Sequence, residues 1–242
     1  RLYSMVRRNL SIDYRFVCFT DDSTGLREEI EVFPLLDNIP IDQNAPERGW
    51  RKLSIFAKDL YGLEGRALFL DLDIVIRDNI DELFAFPGEF LIVKDWDFPK
   101  DIIGNSSVFR FEIGQHPHII DEFIRNRQDI VRKYRNEQAY LSYAMYDAGI
   151  LKYWPSDWCV SFKRHCLQPW PLCYFNEPID PATSKIIVFH GKPNPDEAYN
   201  GYVSKLGFRY IIIVIRSKVM DYNKYKYERN KKEKEAYVFV LS

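Results

Sequence analysis

Hydrophobic positions along this chain change period several times. Leu2, Met5, Val6 and Leu10 recur at helical spacing, and Tyr14-Arg-Phe-Val-Cys-Phe19 then reads as a strand. Thr20-Asp-Asp-Ser-Thr-Gly25 supplies turn and capping chemistry, and Ile30-Glu-Val-Phe33 predicts a second, short strand. The stretch from Pro34 to Pro46 reads as loop. A helix is predicted from about Glu47 to Tyr61, closed by Gly62, with Leu53, Phe56, Ala57 and Leu60 on its buried face. Ala67-Leu-Phe-Leu-Asp-Leu-Asp-Ile-Val-Ile76 is an apolar run of strand length, interrupted only by Asp71 and Asp73. A short helix around Asp78 to Phe86 follows, then strands at Phe90-Leu-Ile-Val93 and Ser107-Val-Phe-Arg-Phe111. His118 to Tyr134 and Glu137 to Tyr146 predict amphipathic helices. Ile186-Ile-Val-Phe189 is a late strand that runs into His190-Gly-Lys-Pro193. Alternation of this kind implies an α/β domain with a mostly parallel central sheet flanked by helices.

At 242 residues the chain can bury one substantial core, and it shows no internal repeat or low-complexity linker. The expected division is a domain over residues 1–200 and a peripheral, basic and aromatic tail over 201–242. A formal net charge of −1 gives no global attraction for nucleic acid, although local patches remain possible, and no nucleic-acid partner is expected. Tyr210-Ile-Ile-Ile-Val-Ile215 is far too short to cross a membrane. The opening Arg1-Leu-Tyr-Ser-Met-Val-Arg-Arg8 lacks the apolar centre of a secretory signal, so a cytoplasmic protein is expected. Cys159, Cys166 and Cys173 are seven residues apart, a poor zinc spacing, and Cys18 lies in an apolar run. Free buried thiols in a reducing compartment are the expectation. Within the tail, Arg216 to Lys234 interleaves Lys and Arg with Tyr222, Tyr225 and Tyr227. That pattern suits a solvated helix face, or a surface resting peripherally on anionic lipid at the inner face of a membrane.

The chemistry begins at Asp71 and Asp73. In an extended chain both point to one face and Leu72 to the other. Two neighbouring buried carboxylates lose hydration and repel each other, and a divalent cation removes both penalties. Hard oxygen donors suit Mn²⁺ or Mg²⁺. The competing reading is a strand that ends near Leu70, with both carboxylates in a solvated turn. His190 after a strand is usually a satisfied core or surface histidine, but joined to two carboxylates an imidazole suits Mn²⁺ better than Ca²⁺. Gly191 lets a bulky anion approach the backbone, and Lys192 offers a point charge suited to phosphate. A metal and a lysine neutralising a diphosphate leaving group is the chemistry inferred. A second acidic pair, Asp95-Trp-Asp97, reads as an acceptor-side or structural loop.

Six segments together resemble the nucleotide-sugar glycosyltransferases of GT-A (Rossmann-like) fold. They are Phe19-Thr-Asp-Asp22, Gly49-Trp-Arg-Lys-Leu53, Leu68-Phe-Leu-Asp-Leu-Asp-Ile74, Gly104-Asn-Ser-Ser-Val-Phe109, Asn136-Glu-Gln-Ala139 and Val188-Phe-His-Gly-Lys-Pro193. They occur in the order of the bacterial-type retaining group that includes glycogenin and the lipopolysaccharide galactosyltransferases, and span roughly residues 1–195. The resemblance implies Asp71, Asp73 and His190 as ligands of Mn²⁺ or Mg²⁺, with Lys192 and Gly191 at the diphosphate. Lys52 is implied to reach toward donor sugar and phosphate, with Arg51 its alternative. Asn105 would line the sugar pocket, and Gln138 would lie near the reacting carbon. Implied too is transfer of a hexose from a nucleotide diphosphate sugar, in particular a UDP-sugar, to a saccharide or lipid-linked glycan acceptor. The alternative function is a non-catalytic nucleotide- or sugar-binding protein that keeps the fold. Three departures stand out: the family's first strand is missing before the first helix, Glu137 replaces an Asp, and Ser107 replaces a Gly.

Overall fold

In the computed structural model, residues 1–37, 39, 49–170, 172–174, 176, 178–191 and 236–242 are described. Helix α1 (Leu2–Asn9) leads into β1 (Arg15–Thr20) and β2 (Glu31–Phe33). After a 3₁₀ segment (Trp50–Phe56) come β3 (Arg66–Leu70), β4 (Ile74–Ile76), α2 (Asp81–Ala85), β5 (Phe90–Lys94) and β6 (Gly104–Glu112). Helices α3 (His118–Arg125), α4 (Arg127–Lys133) and α5 (Glu137–Asp147) precede the short strands β7 (Leu151–Tyr153), β8 (Cys159–Ser161) and β9 (Ile186–Val188). Ala236–Leu241 forms β10.

A seven-stranded sheet in the order β2-β1-β10-β3-β6-β5-β7 occupies the centre, and β4-β9-β8 forms a second, smaller sheet. The expected helix-flanked α/β architecture is present. Strands β1, β2, β3, β5 and β7 share one direction, but β6 and β10 run against it. The sheet is therefore mixed, and most neighbouring pairs are antiparallel. Alternate residues of each central strand feed opposite cores. Leu68 and Leu70 pack with α1, α2 and the small sheet, whereas Ala67 and Phe69 pack with α3, α5 and the 3₁₀ segment. With both faces covered, these strands carry continuous apolar runs instead of an in–out alternation. On the second face the rings of Phe69 and Phe109 stack with centroids 4.7 Å apart, and Phe19 meets Phe239 at 5.1 Å.

Three elements differ from expectation. The helix predicted from Glu47 is a 3₁₀ segment where it is described, opened by Gly49 at φ 78° and tied by the Lys52 amide donating to the Gly49 carbonyl at 2.9 Å. Six of its seven residues are buried, so it has no solvent face to support an amphipathic α-helix. The helix predicted over His118 to Tyr134 breaks at Asn126, whose backbone leaves the helical region and whose side chain donates to Glu122 Oε1 at 2.7 Å. The tail expected to be peripheral ends in the middle of the sheet, where β10 lies antiparallel to both β1 and β3. Residues 192–235 lie outside the described set, and with them Lys192 and the basic run from Arg216 to Lys234.

Arg110 of β6 fixes α2 to the sheet. Its fully buried guanidinium donates to the carbonyls of Leu83, Phe84, Phe86 and Gly88 at 2.5–2.9 Å, satisfying the open end of that helix. Burial pushes its pKa down to about 10, so it stays charged at neutral pH. All four cysteines are free, as expected, and burial pushes the Cys18 thiol up to about 11 and that of Cys166 to about 12. Among the described residues no helix is long and apolar enough to cross a membrane.

A central place for β10 has a measurable consequence. Phe239 is fully buried against Phe19, Phe69 and Phe111. Phe239→Ala should cost about 3–5 kcal/mol in urea denaturation, whereas a loss below about 1 kcal/mol would return the segment to the periphery.

Candidate functional site

The apolar run around Asp71 and Asp73 is two strands, not one. β3 stops at Leu70 and β4 starts at Ile74 in the other sheet, with Asp71, Leu72 and Asp73 as the crossing. Backbone pairing fixes this crossing from both sides. The Asp71 amide donates to the Ser107 carbonyl at 2.8 Å, and the Phe189 amide to the Asp73 carbonyl at 3.0 Å. Leu72 is more than half exposed, while both carboxylates are only partly so. The strand thus ends where the competing reading placed it, but its carboxylates are not left to solvent. Burial, and then the charge of Asp71, push the Asp73 carboxyl up to about 6.

Lys52 lies behind the pair. Its ammonium donates to Asp71 Oδ1 at 3.1 Å, to the Ser106 carbonyl at 3.1 Å and to Ser106 Oγ at 3.3 Å. It also lies 3.8 Å from Glu137 Oε1 and over the Phe69 ring. Burial pulls its pKa down, but attraction from Asp71 and Glu137 outweighs that and the net shift is upward. A buried lysine between two carboxylates remains an ammonium.

The partners come from β6 and α5. Ser106 Oγ donates to Glu137 Oε1 at 2.7 Å, and the Ser106 amide to Gln138 Oε1 at 3.4 Å. Helix α5 begins here because the Asn136 side chain accepts from the Ala139 amide at 3.2 Å, a regular N-cap, and this holds Glu137 and Gln138 in the first turn. Gln138 Nε2 donates to Asp95 Oδ2 at 3.0 Å, while Asp95 Oδ1 accepts the amides of Asp97 and Phe98 at 2.7 and 3.1 Å. With 6% of its surface exposed, Asp95 is an anchor for its loop and for the Gln138 amide. Of the two readings of the Asp95–Asp97 loop, this buried geometry fits the structural one. Asn105 is buried one residue before Ser106, its Oδ1 accepting the Ser107 amide at 3.1 Å. A register shift between Ile92 and Val93 lets β5 accommodate this part of β6.

His190 is held by different partners. The small sheet aligns Ile74, Val188 and Ser161 side by side, so the residues beyond them lie near Asp73. His190 Nε2 is 2.6 Å from Ser161 Oγ, and the ring stacks on Trp96 at 5.2 Å and 18°. Ser161 Oγ also accepts the Arg164 amide at 3.1 Å, and Arg164 pairs with Asp97. Burial lowers the His190 pKa despite the facing charges of Asp97 and Asp95, which favours the neutral ring. Among the described residues no three His, Cys, Asp or Glu side chains gather as a metal-holding group, so His190 does not join Asp71 and Asp73 here. Gly191 turns the chain at φ 76°, and Lys192 lies outside the described residues.

The structure thus brings Lys52, Asp71, Asp73, Asn105 and Gln138 to one edge of the sheet. Asp71 and Asp73 are the two hard carboxylates that could hold Mg²⁺ or Mn²⁺ with several waters, and the Lys52 ammonium at 3.1 Å from Asp71 competes with such a cation instead of ligating it. Ser106 and Ser161 carried no separate signal in the sequence. Ser106 works through its backbone and hydroxyl together, and Ser161 meets His190 across 29 residues.

No family model and no curated protein matches the sequence. Among solved structures, the chain is similar to the galactosyltransferase LgtC in complex with donor and acceptor sugar analogs, at 12% identity and a TM-score of 0.48, covering 79% of this chain and 80% of that one. A likeness this distant assigns no activity.

Asp73 sets a pH dependence. Its carboxyl titrates near 6 when folded and near 3.8 in the open chain, so the folded state holds the proton more tightly. Stability from this group is therefore full below about pH 4 and is lost as pH rises to about 6. In metal-free buffer, Asp73→Asn should gain about 3 kcal/mol relative to the parent chain across that window and stay level above it. Denaturation midpoints that move in parallel for the two proteins would contradict the assignment.

Proposed function

We propose that this chain is a metal-dependent glycosyltransferase. It moves a hexose from a nucleotide diphosphate sugar, in particular a UDP-sugar, to a saccharide or lipid-linked glycan acceptor, with retention at the anomeric carbon. The observation that carries the proposal is the half-buried pair Asp71 and Asp73 at the carboxyl end of β3, backed by the Lys52 ammonium. In open α/β sheets ligands bind beyond the carboxyl ends of strands, and β3 and β5 both end at this edge.

Asp71 and Asp73 would hold the cation, which when bound supplies Lewis-acid neutralisation of the diphosphate. The remaining work falls to the chain itself. Gly191 has open space where a side chain would be, which would let an anion approach the backbone, and Lys192 is the residue proposed to offset the negative charge gained by the leaving diphosphate. Asp95 and the Ser106 amide fix both ends of the Gln138 amide, so its orientation is set before substrate arrives. Asn105 is held one residue away by the Ser107 amide. His190, neutral and stacked on Trp96, would reach the cation by leaving Ser161.

Incubation with a panel of nucleotide sugars, Mn²⁺ and candidate acceptors, read by mass spectrometry, tests the proposal. A new glycoside, or donor hydrolysis that needs Mn²⁺, is expected. Binding of donor with neither reaction would favour the non-catalytic alternative. Asp71→Ala and Asp73→Ala should each abolish Mn²⁺-dependent binding of UDP in calorimetry with the fold intact, and His190→Ala should weaken it less. Lys192→Ala should lower kcat by about 10²-fold while raising the donor KM less. Unchanged kcat with only a higher KM would remove Lys192 from the leaving-group role.

A further inference from the structure

Lys52 stands between two carboxylates of different exposure. The Asp71 side chain is 28% exposed, so it reaches solvent, whereas that of Glu137 is only 8% exposed, on the other side of the Lys52 ammonium. The ammonium lies 3.1 Å from the first carboxylate and 3.8 Å from the second, a distance beyond close hydrogen bonding. Ser106 stands between them, accepting from Lys52 through its carbonyl and Oγ and donating from Oγ to Glu137 Oε1. A shift of Nζ by about 1 Å would complete a charge-assisted pair with Glu137 and leave the Ser106 carbonyl contact in reach. Glu137 is fitted into its place. A Cβ on Gly49 would come within 2.8 Å of Glu137 Oε2, so a larger residue there would displace that carboxylate.

An ammonium and a dication cannot both sit against Asp71 without strong mutual repulsion. We infer that Lys52 is an exchangeable counter-ion: it neutralises Asp71 before metal binds, and passes to Glu137 when a divalent cation takes Asp71. The inference rests on the metal reading above and deepens it. Glu137 acts through Lys52 and is a positioning residue. It gives the displaced charge a buried partner, so the metal does not have to expel an ammonium into an uncompensated interior. The exchange also keeps the site from holding a fixed lysine–aspartate pair that would shut the metal out.

The test uses the full chain, stripped of metal, and titrates Mn²⁺ alone at neutral pH with the free-ion electron paramagnetic resonance signal as readout. Circular dichroism checks each variant for folding. Lys52→Gln removes the competing cation and should tighten Mn²⁺ binding about tenfold. Glu137→Gln strands Lys52 on Asp71 and should weaken it about tenfold. In the double variant the Glu137→Gln effect should shrink to about threefold or less, because there is no ammonium left to relocate. A role of Glu137 in fold alone would not produce that dependence on Lys52. If Lys52→Gln does not fold, Glu137→Gln should still weaken binding and Glu137→Asp should weaken it less. Mn²⁺ binding that is normal in Glu137→Gln, or that falls equally in both backgrounds, overturns the exchange while the metal reading stands. Absence of Mn²⁺ binding in both the parent chain and Lys52→Gln overturns both.

Discussion

The Lys52 ammonium is the point on which the site depends. It is buried, it cannot lose its proton cheaply beside two carboxylates, and it therefore fixes where those carboxylates must be. Through Asp71 it reaches the end of β3, through Ser106 the start of β6, and through Glu137 the first turn of α5. Remove the charge and Asp71 and Glu137 lose their common partner, a change costing several kcal/mol for a buried ionic group. The same ammonium holds one carboxylate of the acidic pair while the other keeps its proton up to about pH 6. One ammonium thus opposes the Asp71 and Glu137 charges, and Asp73 adds a further negative charge only above about pH 6.

The second constraint is the crossing between sheets. Because β3 ends at Leu70 and β4 joins β9, the chain at Asp71–Asp73 belongs to both sheets, and its backbone is held from each side. The small sheet carries Ser161 and His190 to the neighbourhood, while the large one carries Asn105, Ser106 and, beyond β5, Asp95. Two polar clusters result, one around Lys52 and one around His190. The loop from Asp95 to Phe98 links them: Asp95 anchors Gln138, Trp96 stacks on His190, and Asp97 pairs with Arg164.

Most strands and helices were legible because their apolar runs are long and their turns carry Gly, Asn or Asp. What was not legible has local physical causes. The break at Asp71 is hidden because apolar residues resume at Ile74 as though one strand continued. The 3₁₀ segment around Lys52 has helical apolar spacing, but nearly every residue is buried and Gly49 is left-handed. Ala236 to Leu241 has the composition of a strand, yet its place between β1 and β3 is a pairing across the whole chain. Within the site, the charged candidates stood out one by one, whereas the hydrogen bonds that join them run through Ser106, Glu137 and Asp95. Those contacts arise only when β6 and α5 meet, and no local pattern encodes that meeting. The Ser161–His190 contact is of the same kind.

A crystal grown with Mn²⁺ and UDP, with anomalous scattering used to place the manganese, tests the central claim most directly. A manganese peak about 2.1 Å from carboxylate oxygens of both Asp71 and Asp73, with Lys52 Nζ moved toward Glu137, is the result expected. Manganese bound at Asp95 and Asp97 instead, or UDP bound away from this edge of the sheet, would contradict it.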